Sequence, residues 1–445
     1  MKNEIRTQGW LRLLLVLACL LPLTILFLLP GGGLMAGGLW FWMFLLLCFW
    51  MLFVMIGTPS EQAEGTSVEE LRSVPDSEQP QPITEVMEVK AATEQAGIRV
   101  FRGRLREPAE AVYERLKQAF SDETVPLVQE DQQFGAAITL MPKSLQPAAL
   151  EQPVRPWVHW LLFGLTVLTT TWAGAAHQGE NLLLQPERFS VGLPYSLGLM
   201  AILGVHELGH YFMARRHGLQ VTLPYFIPVP FALGTFGAFI QMRSPSENRR
   251  ALFDVAVAGP LAGLSIAIPA LLMGLQSSIL VPGDFALGPN NVGGTSVGSS
   301  VLFALVSKLA LGDALEYSHL VRLSPLAFAG WLGLLVTALN LLPIGQLDGG
   351  HISRAMFGGR IGNTISIVAM WSLFLLALFV WPGLMMWAII VFFIAGKGAP
   401  PLDDMTPLTP RRRWLGYATF GILGLILAPL PHSLWSAARI HCPYL

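Results

Sequence analysis

Apolar runs close to the length of a bilayer crossing recur along almost the whole chain. They lie at roughly 10–29, 34–56, 157–176, 193–214, 251–274, 324–343, 364–381, 384–396 and 414–430. About 20 apolar residues in a helix cover the hydrocarbon layer. Inside lipid a segment must satisfy its own backbone hydrogen bonds, which selects helices. Composition agrees, with 53% hydrophobic and 13% charged residues and a mean hydropathy of +0.54. The expected fold is a polytopic α-helical membrane protein of about eight or nine transmembrane helices. A net charge of −1 gives no basic footprint for nucleic acid. The three cysteines, Cys19, Cys48 and Cys442, have neither zinc-finger nor redox spacing.

His206-Glu207-Leu208-Gly209-His210 interrupts the apolar run that extends from Tyr195 to about Phe212. On a helix, positions i and i+4 share a face, so His206 and His210 can present two imidazole nitrogens to one metal ion. Glu207 stands close enough to act on a water held there, which is the H-E-x-x-H logic of a zinc hydrolase. Polar groups in a span are costly and mark function, although a structural polar cluster or an ion path would also use them. A second motif follows another apolar run: Asn340-Leu-Leu-Pro343-Ile-Gly-Gln-Leu-Asp348-Gly349-Gly350. Catalytic zinc takes three protein ligands and leaves one position open, and Asp348 is the natural third. Pro343 and the Gly349-Gly350 pair are expected to break the helix and free that carboxylate; the plain alternative is a cap or turn residue.

The first two runs suggest a retained transmembrane hairpin over 1–57, since no small-x-small cleavage site follows the basic start. Residues 58–97 read as a polar linker rich in Glu, Gln, Pro, Ser and Thr. From 98 to 156 the pattern changes to a small cytoplasmic βαββ domain: strand 98–105, helix 108–120, then strands near 125–130 and 135–141. The arginines of its first strand (Arg99, Arg102, Arg104) and the following Arg106 read as a solvated face. The core is placed at 157–360 and the C-terminal transmembrane helices at 361–445. An N-terminus in the cytoplasm puts Arg215, Arg216, Arg243, Arg249, Arg250, Arg354, Arg360 and Arg411–Arg413 inside. The histidine motif and Asp348 then lie near the cytoplasmic face. This requires 299–311 to be re-entrant or interfacial, because a full crossing would put Asp348 at the opposite surface. Residues 219–250 hold no span; prolines precede a glycine-containing strand at 233–242. A hairpin there would offer an open edge for a substrate to join by strand addition.

These features together resemble the site-2 protease family of intramembrane zinc metalloproteases. GVHELGHYFMARR, LPYFIPVPFALGTFGAFIQMRSP, AGPLAG and AGWLGLLVTALNLLPIGQLDGG are most similar to its cyanobacterial and plastid branch, the ethylene-dependent gravitropism-deficient and yellow-green type. Where plant members tend to read Gly-Asn-Leu-Arg, this chain has Gly103-Arg104-Leu105-Arg106. The resemblance implies one Zn²⁺ held by His206, His210 and Asp348, with Glu207 as the base. It implies that Asn340 supports the substrate or the oxyanion, and that the substrate is a transmembrane protein in the lipid bilayer. With no transit peptide before the first span, a bacterial (cyanobacterial) plasma or thylakoid membrane is expected. Other readings of the same residues are a metal or ion transporter, a metallopeptidase for soluble peptides, and an inactive binding homologue.

Overall fold

The computed structural model describes residues 72–120, 124–143, 155–230, 232–282, 300–312, 319–379, 384–394, 396 and 400–428. The expected hairpin at 1–57 lies outside them, as does the start of the expected linker. The rest of that linker is folded, which corrects the sequence reading. Strand β1 (Arg72–Ser73), helix α1 (Gln81–Val86) and strand β2 (Met87–Gln95) precede β3 (Ile98–Leu105), α2 (Ala109–Ala119), β4 (Thr124–Asp131) and β5 (Gly135–Pro142). The five strands form one antiparallel sheet in the order β1-β2-β3-β5-β4. Its core joins Ile83, Val86 and Met87 from the supposed linker to Phe101, Val112, Leu116 and Ile138. At Ala96-Gly97, with φ of 51° and 76°, the chain makes the tight turn between β2 and β3. The boundary expected at residue 98 therefore cuts through a sheet that has already begun at Arg72.

The helical part follows the apolar runs closely. Helices α3 (Pro156–His177), α4 (Phe189–Arg216), α5 (Arg249–Gln276), α6 (Val301–Leu311), α7 (Pro325–Leu341), α8 (Asp348–Phe379), α9 (Met385–Ile394) and α10 (Pro410–Leu427) succeed one another. Local chemistry sets their starts. Asn248 and Ser324 accept hydrogen bonds from Ala251 and Ala327 N–H at α5 and α7, caps each worth about 1 kcal/mol. Pro156, Pro325 and Pro410 stand at first helical positions, where a missing N–H costs nothing. Among the described residues three helices are long and apolar enough to cross a membrane: Pro186–Arg216, Arg249–Gln276 and Asp348–Phe379. α6 is shorter than a crossing requires, at about 1.5 Å per residue.

α8 is two arms rather than one rod. Gly358 has φ 87° and ψ 169°, outside the range of side-chain-bearing residues. The chain doubles back there. A Cβ on Gly362 would lie 2.8 Å from Arg354 Cα, and Gly345 N–H donates to Ser366 Oγ at 2.7 Å. The short arm, 348–357, carries Asp348; the long arm, 359–379, is about 30 Å in length and suits a crossing. α4, α5 and α7 pack at the centre around Ile202, Leu264, Leu271 and Leu334. Tyr195 of α4 adds a polar anchor: the residue is buried, and its hydroxyl donates to Leu233 C=O at 2.8 Å.

Strands β6 (Tyr225–Pro228) and β7 (Thr235–Phe239) form the expected hairpin, paired Tyr225↔Phe239, Phe226↔Ala238 and Pro228↔Thr235 across a bulge. Thr169 of α3 donates to Gly234 C=O at 2.7 Å and, with Tyr195, pins the hairpin tip. In this two-stranded sheet β7 has one edge on β6, and among the described residues no strand pairs with the other. Phe236 and Phe239 are each about half exposed. A second hairpin, β8 (Ile279–Pro282) with β9 (His319–Arg322), joins α5 to α7 around α6.

Candidate metal centre

α4 brings His206 and His210 to one face, one turn apart, as their spacing requires. Both are buried, as is Glu207. The third group arrives differently from the sequence expectation. α7 ends at Leu341, residues 342–347 form an irregular turn, and Asp348 opens the short arm of α8. Gly349 and Gly350 therefore lie inside a helix and do not break one. Their role is steric: a Cβ on Gly349 would stand 1.9 Å from the Leu341 carbonyl oxygen, so only glycine lets the turn fold this tightly.

The three donor atoms converge. His206 Nε2 and His210 Nε2 are 3.2 Å apart, and each lies 3.3 Å from Asp348 Oδ2. A tetrahedral ion with bonds of about 2.0–2.1 Å has edges of about 3.3 Å between its ligands. The triangle fits that edge on all three sides. His210 Nδ1 lies 2.8 Å from Val255 C=O, a bond that needs the proton on Nδ1 and leaves Nε2 with a lone pair. A lone pair and a carboxylate oxygen at 3.3 Å repel unless a cation lies between them. One proton can bridge one pair of these atoms, whereas a metal ion serves all three. Among the described residues, His206, His210 and Asp348 are the group found with metal-binding geometry.

Two further sequence candidates join this cluster. Asn340 Nδ2 lies 3.4 Å from His206 Nε2. Glu207 lies beside the Ile240 backbone, just beyond β7, so the hairpin and the histidine motif are neighbours. All five expected residues thus come together. Sequence reasoning passed over the supports on α5. A Cβ on Gly209 would stand 2.6 Å from the Ala258 carbonyl oxygen, so α4 and α5 touch at backbone level there. Gly259 faces the His210 ring, and Gly263 faces His206. Their signal was the AGPLAG stretch, whose small residues are needed where the two rings lie against α5.

Residues 194–380 match the model of peptidase family M50. Over these residues the chain is similar to that family, the site-2 proteases. The chain is 33% identical over 346 residues to the "Probable zinc metalloprotease EGY2, chloroplastic" of Oryza sativa subsp. indica, covering 75% of this chain and 62% of that relative. The Arabidopsis thaliana protein of the same description is 31% identical over 342 residues, covering 74% and 59%. The "Probable zinc metalloprotease EGY1, chloroplastic" of Arabidopsis thaliana is 38% identical over 166 residues, covering 37% and 30%. The chain therefore spans less than two thirds of the length of these relatives. No solved structure matches. The relatives are chloroplastic plant proteins, which overturns the expectation of a bacterial plasma or thylakoid membrane.

Proposed function

We propose that this protein is a zinc metalloprotease hydrolysing peptide bonds within or next to transmembrane segments of other proteins, in a plastid membrane. About eight or nine helices would cross that membrane, with the site towards the arginine-rich face. The observation that carries this reading is the donor triangle of 3.2, 3.3 and 3.3 Å on an apolar helix bundle. His206, His210 and Asp348 would hold the zinc. Zinc would supply a Lewis acid and a water acidic enough to lose a proton near neutral pH.

The protein's own groups do the rest. Glu207 accepts a proton from the attacking water, whose oxygen bonds to the scissile carbonyl carbon, and returns it to the amine nitrogen as the C–N bond breaks. Asn340, beside the same point, donates to the carbonyl oxygen as charge develops there. The Val255 carbonyl keeps His210 in one tautomer. An unwound substrate segment adds to the open edge of β7 by main-chain hydrogen bonds. The test is cleavage of a single-span substrate reconstituted with the protein in vesicles. Chelation should stop cleavage and zinc should restore it. Zinc flux across the vesicle without cleavage would favour a transporter instead.

A further inference from the structure

The arm that carries Asp348 is short, and an isolated helix of that length is marginal. Its far end is held from outside. Arg249 Nε donates to Ala355 C=O at 2.8 Å. That carbonyl belongs to the last turn before Gly358, where helical partners run out and a cation also suits the helix dipole. Arg354 donates to Asp404 Oδ2 at 2.7 Å, and the Asp404 side chain is only 8% exposed.

Asp404 sits in a segment, 400–406, bonded on both sides. Val128 N–H donates to Leu402 C=O at 2.7 Å, and Asp404 N–H donates to Val128 C=O at 2.9 Å. On the other side Leu402 and Asp403 N–H donate to Ser246 and Glu247 C=O at 2.9 and 2.8 Å. Asp403 Oδ1 accepts from Met405 and Thr406 N–H, turning the chain. Leu402 and Met405 pack on the core of the five-stranded sheet. One hydrogen-bonded ribbon thus runs from β4 through 402–404 to the start of α5, and its carboxylate grips the Asp348 arm.

We propose that segment 400–406 is a tether through which the sheet domain holds Asp348 at the metal site, with Arg354 and Asp404 as positioning residues. This rests on the zinc-site reading above. Arg354 lies on the arm beyond Asp348 and touches no donor atom, so it acts by fixing the whole arm. A slide of the arm by about 1 Å would exceed the roughly 0.2 Å tolerance of a zinc–ligand bond.

The experiment is zinc affinity of the full chain, measured by chelator competition. Asp404→Asn should weaken binding by about tenfold or more, the scale of changes behind a ligand. Exchanging the pair, Arg354→Asp with Asp404→Arg, should recover most of the loss. Unchanged affinity in Asp404→Asn would overturn the proposal. A second measurement needs no variant: because coupling is reciprocal, zinc should slow amide hydrogen exchange several-fold at Val128, Asp403 and Asp404 in the unaltered protein. No change at those amides would also overturn it. Failure of the unaltered protein to bind zinc would instead remove the metal site itself, and the tether with it.

Discussion

Gly259→Ala tests the metal centre without touching a ligand. The added Cβ would lie 2.1 Å from His210 Nε2 and 2.4 Å from Cδ2 and Cε1. Real contacts of this kind start at about 3.0 Å, so the ring must retreat by roughly 1 Å, several times the tolerance of a zinc–nitrogen bond. The ring has little freedom, because its Nδ1 is tied to Val255 C=O at 2.8 Å. Overpacking of this kind costs about 1–3 kcal/mol of stability. Displacing the ligand itself should weaken zinc binding by about 100-fold, or about 2.8 kcal/mol. The same substitution elsewhere supplies the scale. At Gly263 the new Cβ meets His206 at 3.1 Å, which a shift of a few tenths of an ångström relieves, so the loss should stay under about tenfold. At Gly164 nothing lies within 4 Å, and binding should not change. Chelator competition on the three purified proteins, with metal analysis, reads the order directly. Wild-type zinc affinity in Gly259→Ala would refute the placement of His210 against α5.

Three other outcomes are expected. Glu207→Gln should abolish proteolysis and leave zinc nearly stoichiometric, since the amide keeps the shape but cannot take a proton; turnover at the normal rate in detergent would contradict its role as base. Asp348→Asn and His206→Ala should each lose both metal and activity, and full zinc occupancy in Asp348→Asn would place the third ligand elsewhere. Cysteines at the exposed Arg216 and Arg360 should label from the same side of the membrane, because the helices bearing the ligands must meet at one depth; labelling from opposite sides would dismantle the shared site.

Much of this was legible in the sequence for a physical reason. Hydropathy belongs to each segment by itself, so α3, α4, α5, α7 and α10 could be read within a few residues. The candidate ligands stood out because imidazoles and carboxylates are costly in apolar runs. The supports were not, because they are contacts between distant residues. Val255 offers a backbone carbonyl, which no side chain advertises, and Asp404 finds Arg354 only after the chain has folded. Strand β2 was hidden by its own bulge. The register slips between Val89 and Ala91, so Met87 and Ala92 point inwards out of phase, and the alternation that marks a strand is lost. The double-back at Gly358 was missed because an apolar pattern does not record direction.

The distance along the chain between the ligands has a consequence in time. His206 and Asp348 are 142 positions apart. At cellular rates of synthesis that separation lasts on the order of ten seconds. On the zinc-protease reading proposed above, the histidine pair stands through this interval without its carboxylate, and the site would be incomplete until α7 and the following turn are made. A chain arrested just before Asp348 should hold zinc no better than the Asp348→Asn protein, and tight binding by such a fragment would show that two histidines suffice.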